Sequence, residues 1–394
     1  MVEHQAHRPA RKAARDDGFF AHAGTGWKEG GCTSLRVHPD YDDQLLSGGG
    51  DGTIRHWQVE YSPDRTDKWL TDKQVTLQQL RSIDLRSADN SGPPRLVLSV
   101  DWVTHDKRLH CMVADGENDI WMVPQERPGQ SHLPELKLEG QAGDVYAVAT
   151  HPTRPRYFAT ACEDGCIYLW NSGNRKVLLP SPFQIVRQKS EVRGLRPSDL
   201  SRKLPRWEAG EVLKGRSIAF SPDGRLLAVG SSGVIYGKDG SRVWGDQISK
   251  PAEGKTNMDN ADRGGVLTVY ALAPSIFPAD SELEPDSEPA DAEPAGLKEP
   301  ELKVVFQAKI APEAIAVIRF SPDGLLLAAG GHDNCIHLLD VSRTGSDGKS
   351  SIEITSRCKI TKHSSSVSHL DWSQTPVPVD TSTTPPTTSY VLQS

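Results

Sequence analysis

Histidines, cysteines, turn aspartates and one glycine-rich run are the residues here whose types could do chemistry. Cys162 and Cys166 stand four apart, a spacing at which two thiolates on a helix could share a zinc ion. They flank Glu163-Asp164-Gly165, a turn between two strand-like runs, and no Cys-x-x-Cys or His-x3-His partner stands nearby, so no metal is expected. With Cys32, Cys111, Cys335 and Cys358 they read as reduced, mostly buried thiols. The run SGGGDG at 47–52 could cradle a phosphate, but no helix pattern follows to supply amide donors and a dipole. Asp51, Asp164 and Asp333 sit at turns, where a carboxylate accepts backbone and histidine hydrogen bonds rather than acting as a catalytic acid. His22 and His363 each precede a strand-like run, and His38 and His151 each precede a turn proline. No catalytic constellation emerges, so the chain reads as a non-enzyme with no cofactor.

The elements that position these residues recur. A short alternating strand leads through a turn to a small-residue strand, an Asp-Gly or Asp-Asn turn, and a strand ending in an aromatic or apolar residue. Clear copies are LLSGGGDGTIRHW (45–57), YFATACEDGCIYLWN (157–171) and LLLAAGGHDNCIHLLD (325–340), with a weaker one at LHCMVADGENDIWMV (109–123). Each follows an apolar alternating run: 32–40, 96–106, 144–152 and 314–324. A further unit, SIAFSPDGRLLAVGSS (217–232), finds its third strand only at GVLTVYAL (265–272). Ser-Pro-Asp-Gly at 221–224 and 321–324 is a tight turn, with Pro fixing φ and Gly accepting positive φ. Ala, Ser and Gly in each second strand let neighbouring sheets approach closely.

Composition bounds the rest. The 394 residues are 36% apolar with 34 Gly, an ordinary globular balance. A net charge of −7 argues against a dedicated nucleic-acid binder. No apolar run approaches the ~18 residues of a membrane span, and the basic opening of the chain lacks the apolar core of a secretory signal. Residues 1–20 are expected to be a disordered tail ahead of one repeat domain over 21–394. Two insertions stand out. Segment 185–216 is basic, and Arg193, Arg196, Arg202, Lys203 and Arg206 at its centre are the candidate partner-binding residues. Segment 278–301 is almost entirely Pro, Ala, Ser and acid, and is expected to be disordered.

Four short strands per unit make the expected fold class all-β, and the pattern resembles WD40 β-propeller blades. The family's buried tetrad joins a His before strand one, a Ser or Thr in strand one, the turn Asp and the Trp. His22, Ser34, Asp51 and Trp57 fit it in the first unit. Asp164 and Trp170 match in the third unit, and His363 opens a sixth. Asp333 matches in the fifth, where Leu339 replaces Trp. The separations Asp51 to Asp115 (64 residues) and Asp115 to Asp164 (49 residues) exceed the usual ~40–45 residue period because loops intervene. HSSSVSHLDWS (363–373) opens the sixth unit and SYVLQS (389–394) reads as its second strand. The expectation is five blades plus a truncated sixth, in a fragment, a truncated gene model, or half of a closure that uses another segment.

Three runs carry a narrower resemblance. DVYAVATHP (144–152), AIAVIRFSPDG with GGHDN (314–334), and HSSSVSHLDWS (363–373) are similar to the echinoderm microtubule-associated protein-like family, HSSSVSHLDWS most specifically. That family joins a coiled coil, a hydrophobic motif and two tandem propellers, and it binds microtubules. This chain resembles the second propeller. The resemblance implies tubulin as partner, the cytoplasm and cytoskeleton as location, and a binding rather than catalytic role. A scaffold that assembles other proteins without touching tubulin is the alternative.

Overall fold

The computed structural model describes residues 31–61, 75–85, 95–105, 108–116, 119–124, 136–138, 145–154, 156–172, 176–177, 182–186, 188, 211–234, 264–273, 276–277, 302–344, 351–373, 377–380, 387–389 and 392–393. Among them there is no α-helix. Five antiparallel sheets follow one another along the chain. The first comprises β1 (Cys32–Val37), β2 (Gln44–Gly49), β3 (Thr53–Tyr61) and β4 (Val75–Asp84). The second comprises β5 (Val97–His105), β6 (Arg108–Asp115), β7 (Ile120–Pro124) and β8 (Leu136–Leu138). The third comprises β9 (Val145–Thr150), β10 (Tyr157–Cys162), β11 (Cys166–Asn171) and β12 (Lys176–Val177), with β13 (Phe183–Gln184) also pairing β11. The fourth comprises β14 (Leu213–Phe220), β15 (Leu226–Val234), β16 (Gly265–Leu272) and β17 (Leu302–Ala311). The fifth comprises β18 (Ile315–Phe320), β19 (Leu326–Gly331), β20 (Ile336–Thr344) and β21 (Ser351–Ile360). A sixth, partial unit follows: β22 (Asp371–Trp372), β23 (Val377–Asp380), β24 (Thr387–Ser389) and β25 (Leu392–Gln393), with β22 pairing β25 and β23 pairing β24.

The first strand of every unit is innermost. β1, β5, β9, β14, β18 and β22 neighbour one another in that order, and β22 returns to β1, so six inner strands close a ring. Turn chemistry sets each sheet. Gly224 and Gly324 take φ of +69° and +71° in their Ser-Pro-Asp-Gly turns, where Ser221 and Ser321 each accept the amide five residues on at 2.9 Å.

Apolar cores fill the spaces between consecutive sheets. Trp102, Val113 and Leu46 bury between the first two sheets, and Phe158, Trp170 and Met122 between the next two. Tyr157, Tyr270 and Phe277 lie between sheets three and four, Phe306 and Ile318 between four and five, and Val367 and Trp372 between five and the partial sixth. Small residues make the approach possible. A Cβ on Gly48 would stand 2.4 Å from Val97, and one on Gly330 would stand 2.6 Å from Val367. The sixth unit therefore seats on the fifth as the second seats on the first. The sixth unit meets the first through polar bonds between β22 and β1.

Candidate functional site

The aligned inner strands place one residue of each at the same level of the central channel: Arg36, Asp101, Ala149, Ala219, Arg319 and Asp371. Four neighbouring strands thus alternate Asp101, Arg36, Asp371, Arg319 around the ring. Arg36 donates from Nε to Asp101 Oδ1 at 2.7 Å, and its Nη1 stands 3.7 Å from Asp371 Oδ1. Both carboxylates also sew strand to strand. Asp101 Oδ2 accepts the Thr150 amide at 2.8 Å, and Asp371 Oδ2 accepts the Val37 amide at 2.9 Å. Each Asp also accepts the amide of its own following tryptophan, Trp102 or Trp372, at 3.0 Å. Two residues earlier, Ser34 accepts the Val100 amide at 3.1 Å and Ser99 the Val148 amide at 3.2 Å.

Arg319 completes the charged ring and forms no ion pair among the described residues. Its Nη1 donates to the Ile318 carbonyl at 2.8 Å, and its Nε meets no partner among the described residues. Burial, and the Arg36 cation beside it, hold its guanidinium down at about 10, against the pull of Asp371 and Asp101. Beside it lies His369, both of whose ring nitrogens are buried and meet no partner among the described residues. Burial and the Arg319 charge push this imidazole down to about 4. Arg319 lines two cavities, one of about 40 Å³ shared with His369 and one of about 350 Å³ reached by all six inner strands.

The expected tetrad residues take different places. Trp57 Nε1 donates at 2.7 Å to Ser47 of β2, not to Ser34, and Trp170 donates likewise to Thr160 of β10 at 3.0 Å. The register explains these two pairings. Ser47 pairs with Arg55 and Thr160 with Tyr168, so each tryptophan two residues on shares a face with the second-strand hydroxyl. Ser34 lies on the inner strand and is spent on the next blade. Asp51 accepts from Thr53 N at 3.1 Å and Arg55 Nη2 at 2.8 Å; Asp164 accepts from Cys166 N at 2.9 Å and Tyr168 OH at 3.2 Å. Asp333 meets His337 Nε2 and Lys359 Nζ, each at 3.1 Å. The turn Asp thus meets the residue four positions on in each of these three sheets. In the second sheet Asp115 takes the role, accepting from Trp121 Nε1 at 2.8 Å. His363 is half-buried ahead of the sixth unit, while His22 lies outside the described residues.

Arg193, Arg196, Arg202, Lys203 and Arg206 also lie outside the described residues, as do 1–20 and 278–301. Lys214 and Arg216, counted above in the basic insertion, belong instead to β14. Lys214 Nζ meets Glu163 at 3.2 Å, and the Arg216 guanidinium lies 3.8 Å over the Tyr146 ring. Cys162 and Cys166 are buried on either side of their turn.

Radial four-stranded antiparallel sheets around a channel define a β-propeller. The family model "WD domain, G-beta repeat" matches residues 19–58, 133–171, 209–237 and 306–340, so four stretches of the chain are similar to WD40 repeats and the fold is a WD40-like β-propeller. The named proteins it resembles are echinoderm microtubule-associated protein-like proteins. Human echinoderm microtubule-associated protein-like 3 is 29% identical over 280 residues, covering 67% of this chain and 29% of that protein. Human echinoderm microtubule-associated protein-like 2 is 24% identical over 339 residues, covering 84% and 33% respectively. Mouse echinoderm microtubule-associated protein-like 3 is 50% identical over 252 residues, covering 60% and 27%. The chain spans about a third or less of the length of these relatives. Among solved structures it is similar to the Myceliophteria thermophila Cps50 (Swd1) β-propeller domain, at 15% identity and a TM-score of 0.47, covering 83% of this chain and 72% of that one. Chaetomium thermophilum Sqt1 bound to the N-terminus of ribosomal protein L10 follows at 14% identity and a TM-score of 0.44, covering 86% and 64%.

Proposed function

We propose that this chain is a non-catalytic binding module of the microtubule cytoskeleton, acting in the cytoplasm. The observation that carries the reading is its similarity to echinoderm microtubule-associated protein-like 2, which extends over 84% of the chain. Charge supports it secondarily. Tubulin is acidic, and the cluster Arg193, Arg196, Arg202, Lys203 and Arg206 is the part of a net-negative chain most attracted to it. Exposed pairs contribute only ~0.2–1 kcal/mol each, so several act together. Salt above ~0.15 M screens them. The experiment is co-sedimentation with polymerised tubulin at low and moderate salt, beside a variant with those five residues changed to Ser. Pelleting at low salt that the variant loses supports the reading. Equal pelleting of both discards the cluster as the contact. No pelleting at any salt favours the second reading, a scaffold for other proteins, which the net charge of −7 also fits.

A further inference from the structure

Cys162 and Cys166 stand opposite each other at the tip of one hairpin. Ala161 pairs with Ile167 in the ladder of β10 and β11, so the next opposed positions are Cys162 and Cys166. Glu163, Asp164 and Gly165 lie between them, and the Gly165 amide closes the turn on the Cys162 carbonyl at 3.2 Å. Opposed residues of an antiparallel pair point to the same face. The packing agrees. Ala161 and Ile167 bury together toward the fourth sheet, while Cys162 and Cys166 bury together on the other face, with Phe158, Tyr168 and Trp170.

Cα atoms of opposed residues are about 4.5–5.5 Å apart, inside the ~4.4–6.8 Å that a disulfide spans. The register thus brings these two sulfurs within reach of one bond without moving either strand. Cys335 and Cys358 offer the contrast within one sheet: Cys358 pairs with Leu338, so Cys335 lies out of register with it.

The surroundings make the pair slow to react. Burial, then the Asp164 carboxylate, pushes the Cys166 thiol up, so little thiolate forms while the hairpin is closed. Reaction waits on local opening of the turn, whose Glu163 and Asp164 are only half-buried. The same turn supports its neighbours. Glu163 accepts from Lys214 Nζ at 3.2 Å and from Tyr146 OH at 3.4 Å, and the Gly165 carbonyl accepts the Ile185 amide at 2.8 Å, where the basic segment 185–216 begins.

We propose that Cys162 and Cys166 are a reversible dithiol site, closed to a cross-strand disulfide by a low-molecular-weight disulfide such as glutathione disulfide. One cysteine thiolate attacks a glutathione sulfur, breaking that S–S bond and releasing the first glutathione. The other cysteine thiolate attacks the protein sulfur of the mixed disulfide, forming the Cys162–Cys166 bond and releasing the second. Two protein thiols are oxidised, one disulfide is reduced, and the two thiol protons end on the two glutathiones. The closed bond staples the turn that carries Glu163 and the foot of the basic segment. The site is independent of the microtubule reading.

The test equilibrates the full chain in glutathione redox buffers, with and without concentrated urea, then quenches, alkylates with iodoacetamide and maps by mass spectrometry. Trypsin cutting after Arg156 and Arg175 releases both cysteines in one peptide, residues 157–175. From the folded chain this peptide should lose two hydrogens and take no alkyl group, while exposed Cys358 takes up glutathione. Because the fold opposes the two thiols, their disulfide should be favoured at least about ten-fold more in the folded chain than in urea. Dithiothreitol should restore two alkylated cysteines. By linkage the oxidised chain should unfold at a higher urea concentration than the reduced one. Two alkyl groups, or glutathione held on either cysteine of the folded chain, would overturn the proposal. So would equal preference with and without urea, which is the proximity any Cys-x3-Cys chain has. A lower urea midpoint for the oxidised chain would overturn it too, because the bond would then strain the hairpin.

Discussion

Replacing Asp371 with Ala should weaken the junction at which the sixth unit meets the first. The side chain accepts from the Val37 amide at 2.9 Å, from the Trp372 amide at 3.0 Å, and faces Arg36 Nη1 at 3.7 Å, with only 7% of the residue exposed. Hydrogen bonds to a charged group contribute about 1.5–3 kcal/mol each, though not additively. Removing one member of a buried ion pair costs about 3–5 kcal/mol, because the other is left stranded. Arg36 keeps its stronger contact to Asp101 at 2.6–2.7 Å, so the loss should fall near the low end, about 3 kcal/mol. Asp371→Asn keeps one carbonyl acceptor and should cost about half as much, whereas exposed Lys362→Ala should stay within about 0.5 kcal/mol. Urea unfolding followed by tryptophan fluorescence measures all three. A cost below about 1 kcal/mol for Asp371→Ala, with an unchanged slope against urea, would refute closure of the ring through this residue.

Three further outcomes follow from the geometry. A double-mutant cycle should find about 1 kcal/mol of coupling between Ser47→Ala and Trp57→Phe and none between Ser34→Ala and Trp57→Phe; the reverse would restore Ser34 to the tetrad. Gly224→Ala should destabilise by about 2 kcal/mol or more, since φ is +69° and the added Cβ would stand 2.2 Å from the His151 ring; an unchanged urea midpoint would show that the turn yields freely. Acid should destabilise the fold through His56, His151 and His369, each lowered by burial from 6.5 to about 4. These imidazoles are neutral when folded and take up protons when unfolded, so their stabilisation is full above pH 6.5 and declines as pH falls toward 4. For deeply buried His369 the full swing is about 3 kcal/mol, and solvent screening makes the other two smaller. Urea midpoints at pH 7, 6 and 5 test this, and His369→Gln should flatten the profile; a midpoint constant from pH 7 to pH 5 would contradict it.

Local chemistry was legible in the sequence, and assembly across the ring was not. Ser-Pro-Asp-Gly and Asp-Gly announce their turns because Pro, Gly and a short side-chain acceptor act within four residues. Gly165 and Gly52 both take φ of +78° where those turns demand it. The third strand of the fourth sheet was recoverable across a long insertion because GVLTVYAL can only be a doubly buried strand. The bond from Val100 N to Ser34 was not legible, because alternation tells which face a residue occupies, not which strand its hydroxyl meets. Lys214 and Arg216 were read as loop because charge outweighed pattern. In the fold their stems pack along β14 while Glu163 and Tyr146 take their heads. The channel charges were out of reach of periodicity: Asp371 and Val37 are 334 residues apart. One signal was available. Asp-Trp occurs at both 101–102 and 371–372, within an inner-strand pattern each time, and both copies sew one blade to the next.

Attachment to the microtubule is tested most directly by pelleting this chain with two preparations of polymerised tubulin, one intact and one stripped of its acidic C-terminal tails by limited proteolysis. At low salt the chain should sediment with intact polymer and remain in the supernatant with stripped polymer. Equal sedimentation with both, or with neither, would contradict binding through acidic tails.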